Sequence, residues 1–404
     1  MSNNAIVAAL LPIMAAVLVA FLVTGMAMPV LPLHVHEDLG FGTFVVGLVA
    51  GSQFAASLLS RFWSGAYADT RGAKRAVVAG LLMAASSGLL YLLSLRFLRA
   101  PETSVAVLLL GRALLGGAES FIITGALSWG LALAGPQHTG KVIAWVGTAL
   151  WAAYAAGAPT GTALYTSSGF AAIALATVLL PLVTLLLVAR LRPIAPAANA
   201  HPAVTQVLGA VWRPGLGGAL SSVGFGAITT FAALIFAARG WSAAWLALTT
   251  LSVALILGRV VFGHLPDQLG GARVALVCVL IEAAGQAMIW LAPSSALVFV
   301  GAAVTGLGYS LVFPGFGVEA VRRAPAQSRG LAMGAYTAFL DLALAIANPA
   351  LGLIATRTGL ASVFLVSTLV VLGAAAIAMG LGFRAQDNEL ALVEDGGRVH
   401  RLAA

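Results

Sequence analysis

The sequence is short of charge and of cysteine. Only 8% of its 404 residues are charged, whereas a soluble protein carries roughly 25%, and its mean hydropathy is +1.02. This composition excludes an ordinary soluble globular domain. The one cysteine, Cys278, excludes a disulfide framework and a metal site built from several thiolates.

Several function classes also lack support. The net charge is +8, but the basic residues lie in short clusters between apolar runs and form no patch with interleaved aromatics. We therefore predict no nucleic-acid partner. The chain contains no HExxH, no GxSxG and no GxxxxGK[ST], the motifs of zinc proteases, of nucleophilic hydrolases and of nucleotide-binding loops. We therefore predict neither an enzyme nor a bound cofactor or metal.

Long apolar runs make up most of the chain. Each reaches the ~20 residues that are needed to cross a bilayer, which predicts an all-α protein with twelve transmembrane helices and a lipid bilayer as its surroundings. The runs lie at about 7–33, 41–66, 75–98, 103–133, 140–164, 168–191, 212–238, 242–265, 272–293, 295–323, 328–357 and 359–383.

A charged turn occurs twice at equivalent places. Residues 61–75 read RFWSGAYADTRGAKR and residues 259–273 read RVVFGHLPDQLGGAR, 198 positions later. In both, an Arg precedes a Gly by four residues, an Asp follows that Gly by four, and a second Gly and an Arg follow the Asp by three and six. Two unrelated basic loops are the alternative, but topology alone does not require this spacing. We interpret the repeat as an internal duplication. The predicted parts are an N-terminal six-helix bundle at 1–191, a cytoplasmic linker at 192–211, a C-terminal six-helix bundle at 212–383 and a cytoplasmic tail at 384–404.

The residues of the repeated turn suit a gate between helices. The first Gly permits close approach of another helix, the Asp can accept hydrogen bonds at a helix N-terminus, and the last Arg can bind a carboxylate or a lipid phosphate. The predicted gate residues are Arg61, Gly65, Asp69, Gly72, Arg75, Arg259, Gly263, Asp267 and Arg273.

The segment GAYADTRGAKR resembles the loop between helices 2 and 3 of the major facilitator superfamily, and the later copy resembles its weaker echo between helices 8 and 9. The resemblance implies two pseudo-symmetric six-helix bundles that rock about a central cavity, with this loop as a latch on the cytoplasmic side. It also implies that helices 1, 4, 7 and 10 line the cavity and that a small molecule is the substrate.

Charge bias predicts the orientation. If the N-terminus is inside, the opposite side carries only Arg96, Arg99, Arg239 and Arg357, and most other Lys and Arg of the connections are cytoplasmic. This agrees with the positive-inside rule. We expect a multi-pass protein of the bacterial inner membrane with both termini in the cytoplasm.

Three ionisable residues at membrane depth are the predicted proton-coupling and substrate residues, namely Arg112, Glu119 and Asp341. Charged groups there are costly and face a cavity or a partner. Arg112 and Glu119 lie two turns apart on one helix face, about 10 Å along the axis, so each needs another partner. LLLGRALLGG around Arg112 resembles the helix-4 motif of proton-driven exporters, whose Arg is implicated in proton coupling and substrate binding. The alternative is an Arg that only pins helix 4 to a neighbour.

Asp341 is a lone carboxyl in the middle of run eleven. A shift of 190 residues aligns GLGYSLVFPG with GGAESFIITG and places Asp341 opposite Trp151. Burial disfavours the charged form of a carboxyl group, so such a group can hold a proton near neutral pH. The alternative is a carboxylate hydrogen-bonded near Asn348 or Tyr336. We interpret Glu282 as structural, with Gln286 one turn on as a possible partner.

Other polar and aromatic residues at depth are candidates for the substrate cavity, with ordinary core packing as the alternative for each aromatic. They are Gln53, Trp151, Tyr154, Phe225, Phe231, Tyr309, Tyr336 and Asn348. His34 and His36 are interpreted as part of a solvated loop, in preference to a metal site or a pH-responsive outer gate.

The segment GTALWAAYAAGAPTG loosely resembles the helix-5 antiporter motif, with Ala158-Pro159 in place of its Gly-Pro pair. The whole chain resembles the drug and sugar-efflux branch of the superfamily. We expect a monomeric transporter that exports a small amphipathic compound in exchange for protons. Uptake by proton symport or facilitated diffusion is the alternative, and a membrane receptor is a further one.

Overall fold

The computed structural model describes residues 3–135, 138–191, 193, 204–324 and 329–402. Twelve helices in this part of the chain are long and apolar enough to cross a membrane, which confirms the predicted fold. In chain order they are α1 Asn3–Ala27, α2 Thr43–Arg71, α3 Ala73–Ser94, α4 Pro101–Ala134, α5 Thr139–Ser168, α6 Phe170–Ala189, α7 Val204–Ala238, α8 Trp245–Phe262, α9 Gly271–Trp290, α10 Ser295–Arg323, α11 Arg329–Thr358 and α12 Leu360–Leu402.

Two helix boundaries differ from the apolar runs. α7 begins at Val204, inside the predicted linker, and α12 continues to Leu402, through most of the predicted tail at 384–404. The rest of the predicted linker lies mostly outside the described residues. Helices extend past their apolar stretches because backbone hydrogen bonding does not require an apolar side chain.

The repeated turn has the same backbone feature in both copies. Gly72 joins α2 to α3 with φ of 94°, and Gly270 precedes α9 with φ of 89°. A residue with a Cβ is strained in this conformation, so glycine is required at both positions. In the second copy a short helix, Leu265–Leu269, begins with Pro266 near its first position and leads into Gly270.

Helix packing repeats between the two halves. α3 packs on α4 and α4 on α2 in the first half, and α9 packs on α10 and α10 on α8 in the second. The halves meet along two equivalent lines, where α2 packs on α11 and where α5 packs on α8. We call these the α2–α11 seam and the α5–α8 seam.

Glycines allow very close helix contacts at several of these places. A Cβ at Gly47 of α2 would stand 2.2 Å from the Asn348 carbonyl oxygen of α11, and one at Gly116 of α4 would stand 1.9 Å from the Gln53 carbonyl oxygen of α2. Small residues at helix interfaces let backbones approach in this way inside membranes. The backbones of α2 and its neighbours are therefore in direct contact.

Burial differs between the two ends of the bundle. Residues 23–32, which include the end of α1, and 221–236 of α7 are all buried, whereas Leu11, Leu208 and Trp212, nearer the repeated turns, are exposed. The structure is thus closed at the end opposite the repeated turns. The outer surface carries exposed large apolar side chains such as Val260, which a bilayer would cover.

Candidate functional site

Four aromatic rings meet at the centre of the bundle. Trp151 and Tyr154 come from α5, Phe225 from α7 and Tyr309 from α10, and their ring centroids lie 5.4–6.2 Å apart. These separations are typical of favourable aromatic pairs. The cluster joins both halves, and Trp151 is its partly exposed member. The structure therefore brings together four of the residues predicted for the cavity.

Glu119 lies on α4, near Tyr154 of this cluster. Its Oε1 accepts a hydrogen bond of 2.7 Å from the Thr24 hydroxyl of α1, and the side chain remains partly exposed. Thr24 is a partner that sequence reasoning missed, because a single hydroxyl in an apolar helix gives no distinctive pattern. The contact supplies the partner that Glu119 was expected to need.

Arg112 lies two turns away on α4 and is buried, with 4% of its surface exposed. Its Nε and Nη1 have no hydrogen-bond partner among the described residues. It lines a small cavity of about 20 Å³ at the closed end, together with Thr229 and Thr230 of α7. A buried guanidinium with free N–H groups can donate hydrogen bonds to an acceptor that enters the site.

Gln53 of α2 and Asn348 of α11 are also buried with unsatisfied amide groups. Gln53 lies against Gly116 of α4, and Asn348 lies against Gly47 of α2 and Gly226 of α7. Buried amides normally find partners, so both remain candidates for polar contacts in another conformation or with a ligand.

An ion pair joins the halves at the α2–α11 seam. Arg61 Nε donates to Asp341 Oδ2 over 2.5 Å, and the Ser57 hydroxyl donates to the same oxygen over 3.2 Å. The side chains of Arg61 and Asp341 are 22% and 10% exposed. Both residues were singled out from the sequence, but their pairing was not predicted. The alternative partners of Asp341, near Asn348 and Tyr336, are not the ones found.

Arg259 occupies the equivalent place at the α5–α8 seam but has a different partner. Its Nε and Nη2 donate to the Ser310 carbonyl oxygen of α10 over 3.4 and 3.3 Å. A Cβ at Gly147 of α5 would stand 3.2 Å from its Nη1, so the guanidinium reaches across the seam. No carboxylate of the described residues pairs with it.

Two other predicted cavity residues are packed in the core. Phe231 and Tyr336 are both fully buried. The Tyr336 hydroxyl donates to the Phe313 carbonyl oxygen over 3.1 Å, and its ring lies 5.2 Å from that of Phe313. The described ring contacts do not join either residue to the central aromatic cluster.

The turn residues have mixed roles. The close approach expected at Gly65 is not found, because a Cβ there would meet no described atom within 4 Å. A Cβ at Gly263 would meet only the Arg259 carbonyl of the preceding turn. Asp69 is partly buried, whereas Arg75, Asp267 and Arg273 are exposed.

A groove of about 620 Å³ lies beside the first turn and includes Gly72 and Lys74. Lys74 Nζ donates to the carbonyl oxygens of Ala189 and Leu191 over 2.8 and 2.6 Å. The turn is therefore tied to the end of α6.

The interpretation of His34 from the sequence needs correction. His34 is not in a solvated loop, because it is 1% exposed, stacks 4.1 Å from Phe170, and bonds Asp38 over 2.7 Å. Asp38 also accepts a hydrogen bond of 2.8 Å from Tyr165. His36 Nδ1 donates a hydrogen bond of 2.7 Å to the Phe41 carbonyl oxygen in the same segment, and His36 is exposed, so it fits the loop interpretation.

Glu282 of α9 is fully buried and is bonded by the Ser221 hydroxyl of α7, not by Gln286. Gln286 instead donates to the Gly224 carbonyl and to Thr305, over 3.2 Å in both cases. These bonds link α7, α9 and α10 within the second half, as a structural role requires.

Comparisons with known proteins agree with this architecture. The Major Facilitator Superfamily model matches residues 13–265 and 215–398. An "Uncharacterized MFS-type transporter STM4428" of Salmonella typhimurium is 42% identical over 365 residues, which are 90% of this chain and 94% of that protein.

Two solved structures share the fold. A bacterial homologue of the human lysosomal transporter Spinster, in an inward-facing and occupied conformation, has a TM-score of 0.71 at 16% identity and covers 95% of this chain and 98% of its own. The human organic anion transporter MFSD10 has a TM-score of 0.67 at 15% identity, with 92% and 98% covered. The chain is a multi-pass membrane transporter that belongs to the Major Facilitator Superfamily.

Proposed function

We propose that the protein exports a small amphipathic compound, a drug or a sugar-like metabolite, in exchange for protons by alternating access. The observation that carries the proposal is the Arg61–Asp341 ion pair at the α2–α11 seam. Protonation of Asp341 would remove the charge that holds Arg61, so proton binding and the contact between the halves would be linked. Such linkage is reciprocal and is what coupled transport requires.

Glu119 is the second proposed proton site. Its carboxyl group is partly exposed beside the central aromatic cluster and is held by Thr24 of α1. Carboxyl groups inside transporter bundles commonly serve as proton relays. Arg112, buried on the same helix with free N–H groups, is proposed to bind a polar or charged group of the substrate when the closed end opens.

One feature supports export over uptake. LLLGRALLGG around Arg112 resembles the helix-4 motif of proton-driven exporters. We further propose a monomer in the bacterial inner membrane with both termini in the cytoplasm. A reporter enzyme that is active only in the cytoplasm, fused after residue 404, should then be active.

Substrate-driven proton movement in proteoliposomes tests the proposal. Sugars, drugs and organic acids are added to vesicles that contain a pH-sensitive dye. In the wild type we expect protons to move in the direction opposite to the substrate. In Asp341→Asn and in Glu119→Gln we expect this proton movement to be lost. Glu102→Gln, a change at an exposed carboxylate in the first turn of α4, is the matched control and should leave the flux intact.

The other outcomes have defined meanings. Proton movement in the same direction as the substrate would replace antiport by symport. Substrate movement with no proton movement would leave a facilitator, and undiminished coupled flux in both carboxyl variants would refute their proposed role. Substrate binding without any substrate movement would favour a receptor.

A further inference from the structure

The two arginines of the duplicated turns have unequal surroundings. Arg61 and Arg259 are 198 residues apart and lie at equivalent positions on α2 and α8. Each faces a helix of the other half, but only Arg61 meets a carboxylate there. Arg259 has two long hydrogen bonds to one backbone carbonyl, and its Nη1 lies beside Gly147.

The sequence explains the difference. At the shift of 190 residues that aligns α11 with α5, the residue opposite Asp341 is Trp151. The duplication has therefore kept the arginine at the second seam and placed an aromatic ring where the first seam has an acid. Gly147, beside the guanidinium, lies one helical turn before Trp151, so Arg259 and the Trp151 ring are on the same side of α5.

Arg259 has no carboxylate partner among the described residues. The interior carboxyl groups are engaged elsewhere: Asp341 is paired with Arg61, and Glu119 and Glu282 accept hydrogen bonds from hydroxyl groups. An unpaired guanidinium in a largely apolar interior is costly. An anionic ligand would remove this cost, since the planar guanidinium fork matches a carboxylate in shape and charge.

The neighbouring groups suit the rest of such a ligand. Arg259 bonds Ser310, the residue after Tyr309, and the Tyr309 ring lies 6.2 Å from that of Trp151. Trp151 is partly exposed, and the Tyr154 and Phe225 rings pack edge-on against it. Aromatic walls with one fixed polar group are typical of small-molecule sites.

We propose that Arg259 and the Trp151 cluster form an anion subsite for the transported molecule, which is therefore an amphipathic organic acid. Its carboxylate binds the Arg259 guanidinium, and its apolar body stacks on Trp151. The proposal rests on the transport function proposed above and specifies the substrate class. The ligand would contact α5 of one half and α8 of the other, so its binding would stabilise the α5–α8 seam.

Binding to the purified full-length protein in lipid nanodiscs tests the subsite. The probes are indole-3-acetate and its neutral match indole-3-acetamide, measured by calorimetry without any gradient. We expect the carboxylate to bind about 10- to 100-fold more tightly than the amide, as a charge-assisted contact predicts. Arg259→Gln should abolish the preference and Arg259→Lys should keep part of it. Arg239→Gln, at an exposed arginine that also lies against a tryptophan, should leave it unchanged.

A ligand-free measurement tests whether Arg259 is open to an anion. Trp151→Asp would recreate at this seam the acid that Asp341 supplies at the other, so it should unfold at a higher temperature than Trp151→Asn. The difference should vanish when Arg259 is also changed to Gln. Equal stability of the two Trp151 variants, or equal affinity of the wild type for acid and amide, would overturn the proposal. So would failure of the folded wild type to bind either probe.

These results separate the subsite from the proposed function. If the wild type exchanges protons for substrate but binds the carboxylate and the amide equally well, the organic-acid subsite alone is rejected. Carboxylate binding that depends on Arg259, with no proton movement in vesicles, would keep the subsite and reject proton-coupled export.

Discussion

Neutralising Asp341 should loosen the α2–α11 seam by a measurable amount. Two unit charges about 4 Å apart attract by ~4 kcal/mol at an effective dielectric constant near 20, and removing one partner of a buried pair costs about 3–5 kcal/mol. Because the Arg61 side chain is 22% exposed, solvent screens part of this energy. We therefore expect Asp341→Asn to destabilise the closed conformation by roughly 2–3 kcal/mol, a factor of about 30 to 150 in population.

The rate at which a buried cysteine is alkylated reports this population. Thr230 is 2% exposed and lines the small cavity at the closed end, so Thr230→Cys reacts only when that end opens. Cys278, the single native cysteine, is replaced by Ala in the background. If the ion pair breaks in the opposite conformation, Asp341→Asn should raise the rate of labelling by an impermeant maleimide roughly 30- to 150-fold.

A double-mutant cycle separates the ion pair from other effects of the substitution. Arg61→Gln combined with Asp341→Asn leaves no unpaired charge at the seam, so its effect should be smaller than the sum of the two single changes. An unchanged labelling rate in Asp341→Asn would refute the reasoning. Strictly additive effects of the two changes would refute it as well, because they would mean that the residues act separately.

Three further predictions concern stability, each measured by thermal unfolding in detergent. Gly116→Ala should lower the free energy of unfolding by about 1–3 kcal/mol through overpacking. Gly65→Ala should leave stability unchanged or raise it slightly, because a Cβ there would have no described atom within 4 Å. Tyr165→Phe should cost about 0.5–1.5 kcal/mol through loss of the bond to Asp38; no change would mean that solvent satisfies Asp38 equally well. Glu282→Gln should be far better tolerated than Glu282→Ala, which leaves a cavity, and equal losses would contradict a structural role.

The fold follows from the sequence because its determinants are local. An apolar run of ~20 residues must be a helix in a bilayer. Gly72 and Gly270 recur at the same place in the two copies of the turn, and the structure shows why glycine is needed there, since both have positive φ. Helix ends were less well predicted, as α7 shows by starting at Val204. An apolar run marks where a helix is buried in lipid and does not mark where its hydrogen bonding stops.

The site could be predicted only residue by residue. The rarity of charge at depth singled out Asp341, and the repeated turn singled out Arg61, but these residues are 280 positions apart and meet only after the two halves pack together. Their pairing depends on which helix faces cross the seam, and no local pattern encodes that. His34 shows the same limit, because its burial depends on Phe170 of a distant helix.

The duplication has a consequence for how a proton and a substrate would exchange. The group that can lose its charge lies at the α2–α11 seam, and the arginine without an acid lies at the α5–α8 seam. A proton on Asp341 and an anion on Arg259 would therefore occupy separate sites and would not compete for a shared group. Their exclusion would have to arise from the relative movement of the two halves, since protonation weakens one seam while the anion strengthens the other. Pseudo-symmetry supplies two equivalent lines of contact, and an acid at one with a tryptophan at the other would give them the different ligands proposed above.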